Sequence, residues 1–109
     1  MKSLVIYVDV EGTLINSVGN KVVPIEPVIN HVCELYDHGA TLYCWSSAGA
    51  NYARQAAITI GLEECFKAFL PKPNVAIDDV NIEDWRRFIQ IHPTKCTSKS
   101  LYDYEDELL

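Results

Sequence analysis

Two short apolar runs in this sequence each end on acidic residues. The first run, residues 4–8, leads directly into Asp9, and the second, residues 75–77, leads into Asp78 and Asp79. Both runs are rich in β-branched residues, which predicts buried strands. Carboxylates at the ends of buried strands cost free energy unless a cation lies between them. The two runs therefore predict a sheet with a metal and phosphoryl-transfer site at one edge.

Strand-like and helix-like segments alternate along the chain, which is typical of a parallel sheet with helices on both faces. Pro27 in a first turn and Gly39 at the end mark the clearest helix. We therefore predict an α/β fold, a three-layer Rossmann-like sheet in one domain spanning residues 1–109. The predicted strands are residues 3–9, 41–46, 75–78 and 88–91, with a short one at 68–70; the predicted helices are residues 25–38, 49–60 and 81–85, with a helical turn at 63–68; residues 10–24 form a loop with a hairpin tip at 18–21.

Length and cysteine content narrow the class of protein. A chain of 109 residues can bury one core. No apolar run approaches the roughly 20 residues that cross a bilayer, and the N-terminus lacks a signal-peptide pattern, so we expect no membrane partner. The four cysteines are widely spaced and form no C-x-x-C pair. With Cys33 and Cys44 on apparent core elements, this pattern predicts reduced, buried thiols and a cytoplasmic location.

The charge is uneven along the chain. The net charge is -6, and the acidic tail at residues 102–109 carries four acids and no basic residue. The rest of the chain is close to neutral and has no basic stripe that would follow a nucleic-acid backbone. We therefore expect no nucleic-acid surface, and we expect the tail to be solvated or loosely helical.

Phosphoryl transfer to a carboxylate needs a defined set of groups. One Asp attacks phosphorus, a hard cation such as Mg²⁺ bridges that Asp and the phosphate, and a hydroxyl and an ammonium hold the other phosphate oxygens. A second acid protonates the leaving oxygen. The chain offers Asp9 for attack, Glu11 for acid–base work, Ser46 or Ser47 and Lys72 for phosphate, and Asp78 and Asp79 for metal.

These residues resemble a known family. Residues 9–14, Ser46, Lys72 and the pair Asp78-Asp79 follow the order of the four motifs of the haloacid dehalogenase-like (HAD) superfamily. The resemblance covers about residues 3–92. The first motif, with glutamate at its third position, is similar to that of enolase-phosphatases, which also carry a segment resembling residues 45–49. Those enzymes have a cap domain, and this chain has no room for one.

The resemblance implies roles for individual residues. Asp9 would be the nucleophile, and Asp9, the backbone carbonyl of Glu11 and Asp78 would hold Mg²⁺, with Asp79 close by. Ser46, with Ser47 as the alternative, and Lys72 would bind the phosphate of the substrate. Gly12 and Thr13 would line the same site in the first motif.

The expected function is that of a small, cap-free, Mg²⁺-dependent phosphatase acting through an aspartyl phosphate on a phosphorylated substrate of unknown type. One alternative is a HAD-fold phosphate-binding or regulatory module with little turnover, working through a protein partner. A phosphoryl-transfer receiver is a further alternative, although receivers cluster their acids differently. Because an open site cannot exclude water by itself, we expect either a large substrate or a partner or second copy of the chain that covers the site.

Several residues also have a structural interpretation. Ser46 and Ser47 could cap the helix at 49–60, the pair Asp78-Asp79 could cap the turn after it, and Lys72 between two prolines could be solvated. Arg54 is expected to be solvated, although the helix could direct it at a substrate. The aromatic residues Trp45, Trp85, Phe66, Phe69 and Phe88 are expected in the core, and His31 and His38 at or near the surface.

Overall fold

The computed structural model describes residues 3–109 as a mixed α/β protein. A three-stranded parallel sheet has the order β1-β4-β5, and a separate two-stranded antiparallel hairpin pairs β2 with β3. The strands are β1 (Val5–Asp9), β2 (Ile15–Val18), β3 (Lys21–Pro24), β4 (Thr41–Ser46) and β5 (Phe66–Pro71); the helices are α1 (Glu26–Asp37), α2 (Ala50–Thr59), α3 (Pro93–Cys96) and α4 (Leu101–Glu107), with single 3-10 turns at Glu63–Cys65 and Ile82–Asp84.

The sheet is built from two strand–helix–strand units. Helix α1 lies in the connection from β1 to β4, and α2 lies in the connection from β4 to β5. Crossover connections of this kind make neighbouring strands parallel and bring their carboxyl ends to one edge. The register aligns Asp9 with Trp45, and Ser46 with Pro71. The prediction of an α/β fold with a parallel sheet is thus confirmed, and the arrangement is consistent with a Rossmann-like fold.

One face of the sheet is closed and the other is partly open. Leu42 and Cys44 of β4 are buried, as the period of two along a strand requires for a face that meets the core. On the opposite face Tyr7 packs against Tyr43 and Trp45, with ring centroids 5.2 and 4.8 Å away. Tyr7 nevertheless remains 45% exposed. The predicted covering of both faces by helices is therefore only partial on the side of these aromatic rings.

Local predictions from periodicity agree with the structure. The helices predicted at residues 25–38 and 49–60 are α1 and α2, with ends shifted by a residue, and the predicted hairpin tip at 18–21 joins β2 to β3. Gly19 in that tip has φ +60°, a conformation that glycine adopts without steric cost. The helical turn expected at 63–68 shrinks to the 3-10 turn at Glu63–Cys65, and the short strand expected at 68–70 extends to Phe66–Pro71.

The strand predicted at residues 75–78 is wrong. Residues 73–88 are all exposed, and Val75 and Ile77 are 78% and 99% exposed. Only residues 72–74 separate this segment from β5, and three residues span at most about 10 Å. A further parallel strand needs a crossover of roughly a dozen residues or more. The segment therefore cannot return to the start of the sheet, whatever its own β propensity.

Further predictions in this region also fail. Residues 88–91 form no strand, although Ile89 and Ile91 pack against the core. Trp85 and Phe88, expected in the core, are exposed and pack on each other with ring centroids 5.7 Å apart. The short helix predicted at 81–85 is a single 3-10 turn at Ile82–Asp84. Because residues 75–78 do not join the sheet, the segment that follows them stays at the surface, and Trp85 and Phe88 remain outside the core.

The acidic tail folds back onto the body of the protein. Helix α4 begins at a capping box between Ser100 and Asp103, and Leu101 and Tyr104 are buried. Tyr104 meets His31, which the sequence placed near the surface and which is only 5% exposed. The tail is helical, as one alternative predicted, but its inner side is packed rather than solvated. In the described range, no helix has the length and apolar character needed to cross a membrane.

Candidate functional site

The carboxyl ends of the three parallel strands bring together three of the predicted site residues. Asp9 ends β1, Ser46 ends β4, and Lys72 follows β5. The Nζ atom of Lys72 lies 2.9 Å from Oδ1 of Asp9, and the backbone N–H of Lys72 donates to the carbonyl of Ser46 at 3.0 Å. The acid of the first run is thus neutralised by a lysine at the edge of the sheet where ligands of such folds bind.

Asp9 is held from two sides while remaining accessible. Its Oδ1 meets Lys72, and its Oδ2 accepts a hydrogen bond from the hydroxyl of Thr13 at 3.3 Å. The side chains of Asp9 and Lys72 are each about one third exposed. A carboxylate fixed in this way presents its remaining lone pairs in a defined direction next to a cation. The edge of the sheet therefore presents a carboxylate and an ammonium side by side.

The backbone N–H groups in the turn after Asp9 donate hydrogen bonds to carbonyls of the same turn. Gly12 has φ +77°, and its N–H donates to the carbonyl of Ile15 at 2.8 Å. The N–H groups of Thr13, Leu14 and Ile15 all point at the carbonyl of Val10. Gly12 and Thr13, which the resemblance suggests as substrate-binding residues, therefore have their backbone N–H groups engaged inside the turn. Their contribution in this structure is to position Asp9 through the Thr13 hydroxyl.

Ser46 is a buried hydroxyl at the end of the central strand. It is 4% exposed, and its Oγ accepts a hydrogen bond from the N–H of Ala48 at 3.0 Å, which leaves its own proton free to donate. The capping interpretation is wrong, because Gly49 occupies the cap position of α2 and no side-chain cap bond forms there. Ser47 is exposed. Of the two serines, Ser46 is the one that the fold fixes beside Lys72.

Glu11 is directed to two partners that the sequence did not indicate. Its Oε1 accepts hydrogen bonds from Ser17 of β2, at 2.6 Å, and from the hydroxyl of Tyr52 in α2. These bonds, Ser17 first, lower the pKa of Glu11, and the bond to Glu11 raises the pKa of Tyr52. The ring of Tyr52 packs against the core while its hydroxyl reaches Glu11. Only the tertiary structure shows where its hydroxyl ends.

The lowered pKa matters for the role expected of Glu11. A carboxyl group whose pKa is lowered from 4.5 is ionised near neutral pH, because its proton is already lost well below that pH. A general acid has to carry a proton when the leaving group departs. In this conformation Glu11 is therefore suited to accepting hydrogen bonds and poorly suited to protonating a leaving group.

The second acidic pair does not join the first. Asp78 lies in the exposed segment, where its Oδ1 accepts a hydrogen bond from the N–H of Val80 at 2.9 Å, and Asp79 is exposed beside it. Across residues 3–109, no three His, Cys, Asp or Glu side chains group in a way that could hold a metal ion. Of the acids predicted to hold Mg²⁺, Asp9 lies at the sheet edge beside Lys72, whereas Asp78 and Asp79 lie in the exposed segment.

Two neighbouring groups have structural roles. All four cysteines are free, and burial raises the pKa of Cys44 to about 12, with the charge of Asp9 adding to the effect. Cys44 therefore stays a protonated, unreactive thiol. Arg54 forms a salt bridge with Glu63 at 2.9 Å between exposed side chains. Glu63 lies in the 3-10 turn between α2 and β5, so Arg54 is paired at the surface with a residue that follows its own helix.

The geometry defines a compact set of groups at one sheet edge. An accessible carboxylate, an ammonium and a buried hydroxyl come from three adjacent parallel strands. This set can bind an anion with trigonal or tetrahedral oxygens through Lys72 and Ser46, with Asp9 alongside. Comparisons with protein-family models, with curated proteins and with solved structures find no match to this chain.

Proposed function

We propose that this protein is a small, cap-free phosphomonoester hydrolase of the HAD type that uses Asp9 as its nucleophile. The observation that carries the proposal is the 2.9 Å contact between Lys72 and Asp9 beside the buried Ser46. The motif order described from the sequence supports it, because the same three residues that resemble HAD motifs come from adjacent strand ends. Burying Ser46 and pairing Asp9 with a lysine at an open edge suits anion binding better than it suits packing.

The reaction follows from the positions of these groups. An oxygen of Asp9 attacks phosphorus, a phosphorus–oxygen bond forms to Asp9, and the bond to the leaving alcohol breaks, giving an aspartyl phosphate. Lys72 and Ser46 hold the other phosphate oxygens as negative charge spreads over them. Water then cleaves the aspartyl phosphate, which restores Asp9 and releases inorganic phosphate.

The ionised state of Glu11 bears on which substrates react fastest. Glu11 is ionised in this conformation and is held by Ser17 and Tyr52, so the leaving oxygen has to depart as an anion or take a proton from water. Phenolate departs more readily than an alkoxide, because its conjugate acid has a pKa near 10. We therefore expect aryl phosphates to be hydrolysed faster than alkyl phosphates. The HAD resemblance implies Mg²⁺, so the assay is run with Mg²⁺ and with a chelator as separate arms.

Hydrolysis of p-nitrophenyl phosphate by the purified protein tests the proposal. Wild type should release phosphate, and Asp9→Asn should reduce the rate by at least about 1,000-fold, since it removes the nucleophile. Asp106→Asn is the matched control, because Asp106 is an exposed acid on α4. The enzyme proposal fails if wild type releases no phosphate from a broad panel of phosphomonoesters, or if Asp9→Asn is as active as Asp106→Asn.

A phosphate-binding or regulatory module is the second candidate, and a specific observation favours it. Glu11 is engaged by Ser17 and Tyr52, and Asp78 lies in an exposed segment away from any group of metal ligands. Such a site would hold a phosphate and turn it over slowly. Calorimetric titration with beryllofluoride, with and without Mg²⁺, separates the two candidates, because binding by a wild-type protein that shows no turnover supports the module. In that case a protein partner or a second copy of the chain would recognise the protein with phosphate bound at the site.

The free cysteines fit the cytoplasmic location that we infer for this protein. All four are reduced in the structure, and Cys44 and Cys96 are buried. Reduced thiols are the ordinary state in that compartment. Fractionation of cells that express the tagged protein would test the inference.

A further inference from the structure

The hairpin formed by β2 and β3 has few attachments to the rest of the protein. Its strands pair with each other in a sheet of their own, and of their eight residues only Ile15 is buried. An isolated two-stranded hairpin is marginally stable in water. Its orientation therefore depends on contacts made at its base and along β2.

Glu11 supplies one of those contacts and connects three elements through a single atom. It lies in the turn after β1, where it forms an isolated bridge with Ile15. Its Oε1 accepts hydrogen bonds from Ser17 of the hairpin and from Tyr52 of α2. Hydrogen bonds to a carboxylate are roughly twice as strong as those between neutral groups. The carboxylate thus ties the hairpin to a helix that is packed on the sheet.

The same elements carry the phosphate site. Glu11 follows Asp9 by two positions, and α2 begins four positions after Ser46. A side chain that joins the turn after β1 to the first turn of α2 fixes the hairpin relative to both Asp9 and Ser46. The link therefore lies within a few residues of both members of the proposed phosphate site.

We propose that Glu11 is a positioning residue that latches the β2–β3 hairpin to α2 through Ser17 and Tyr52 and so sets the access of substrate to Asp9. The second half of this statement rests on the proposed hydrolase function, whereas the first half concerns the hairpin alone. The latch assigns Ser17 and Tyr52 a role that the motif pattern does not give them. It also explains why glutamate suits this position, since its extra methylene reaches two hydroxyls that belong to different elements.

Hydrogen–deuterium exchange over residues 15–24 tests the latch without any need for activity. Tyr52→Phe and Ser17→Ala each remove one hydrogen bond and should speed exchange there about fivefold. Glu11→Ala should have the largest effect, about tenfold or more, because it removes both bonds. Glu11→Gln keeps an oxygen acceptor in the same place but makes both bonds neutral, so its exchange should be about fivefold faster than wild type and slower than in Glu11→Ala. Tyr102→Phe is the matched control, because the ring of Tyr102 is exposed on α4.

The outcomes separate the latch from its consequence for substrate. Unchanged exchange in both Tyr52→Phe and Glu11→Ala overturns the latch, and so does a Glu11→Gln variant as fast as Glu11→Ala. In p-nitrophenyl phosphate hydrolysis, Tyr52→Phe should change KM by at least about threefold with kcat nearly unaltered. The substitution changes how substrate reaches Asp9 and leaves the reacting groups in place. A fall in kcat of about threefold with unchanged KM would contradict the proposed role in substrate access. If wild type shows no turnover, the hydrolase proposal fails while the exchange result still decides the latch.

Discussion

The first and second acidic runs have nearly the same local sequence pattern, but only the first forms a strand. Residues 5–9 form a strand that pairs with β4 along its whole length. Residues 75–78 are exposed and unpaired within the described part of the chain, although they too contain β-branched residues and end on aspartate. The difference lies in the connections. Residues 10–40 give β1 a crossover to its neighbour, whereas residues 72–74 are too few to give the second run one.

A strand-like sequence forms a strand only where the connecting residues are long enough to place it beside a partner strand. β propensity largely measures how well a side chain fits a half-buried pleated surface. Val8 finds that surface and is 7% exposed, while Ile77 does not. The functional consequence is that one acid tip is anchored beside Lys72 and the other is not.

The largest expected effect contrasts Lys72 with Asp78 in the proposed reaction. Lys72→Met removes the ammonium next to Asp9 and should lower kcat/KM for p-nitrophenyl phosphate about 100-fold, the usual size of a lost charge-stabilising donor. Asp78→Asn should change it by less than about threefold, because Asp78 is bonded to its own turn. A loss at Asp78 as large as that at Lys72 would break the comparison. It would mean that the exposed segment closes on the site during the reaction.

A matched pair of valine substitutions measures the same contrast in stability. Val8→Ala deletes buried methyl groups and should lower the free energy of unfolding by about 2 kcal/mol. Val75→Ala makes the same chemical change on an exposed side chain and should stay within about 0.5 kcal/mol of wild type. Urea denaturation followed by circular dichroism measures both. Equal losses would show that residues 75–78 are buried against a partner surface in solution.

The sequence predicted what depends on neighbours along the chain. Periodicity located α1 and α2, and the glycine at the hairpin tip located the turn between β2 and β3. The rule that parallel strands share a carboxyl edge placed Asp9, Ser46 and Lys72 together before any contact was known. Each of these inferences uses either local geometry or a topological rule that the short crossovers satisfy.

The sequence could not predict what depends on distant partners. The direction of the Glu11 carboxylate is decided by Ser17 and Tyr52, the latter 41 positions away. His31 is buried because Tyr104 of α4 covers it, 73 positions along the chain. Neither contact leaves a periodic signal, because a single hydrogen bond between two elements has no repeat. The resemblance to HAD motifs likewise could not show that the second acidic pair lacks a crossover.

The smallest expected effect concerns the chain beyond the exposed segment, where packing resumes as α4 docks on α1. His31 Nε2 lies 2.8 Å from the hydroxyl of Tyr104, and its Nδ1 has no hydrogen-bond partner among the described residues. Burial lowers the pKa of His31 below 6.5, and the charge of Glu34 opposes this in part. The unfolded chain therefore binds a proton more readily than the folded one as the pH falls below about 6.5.

The sign of the pH dependence follows from that difference. The contribution of neutral His31 to stability is complete above about pH 6.5 and is lost as the pH falls towards the lowered pKa. Urea midpoints measured between about pH 7.5 and about pH 5 should fall more steeply in wild type than in His31→Gln. His38→Gln, at the exposed end of the same helix, is the matched histidine-to-glutamine control. Equal slopes in wild type and His31→Gln would show that α4 leaves His31 open to water.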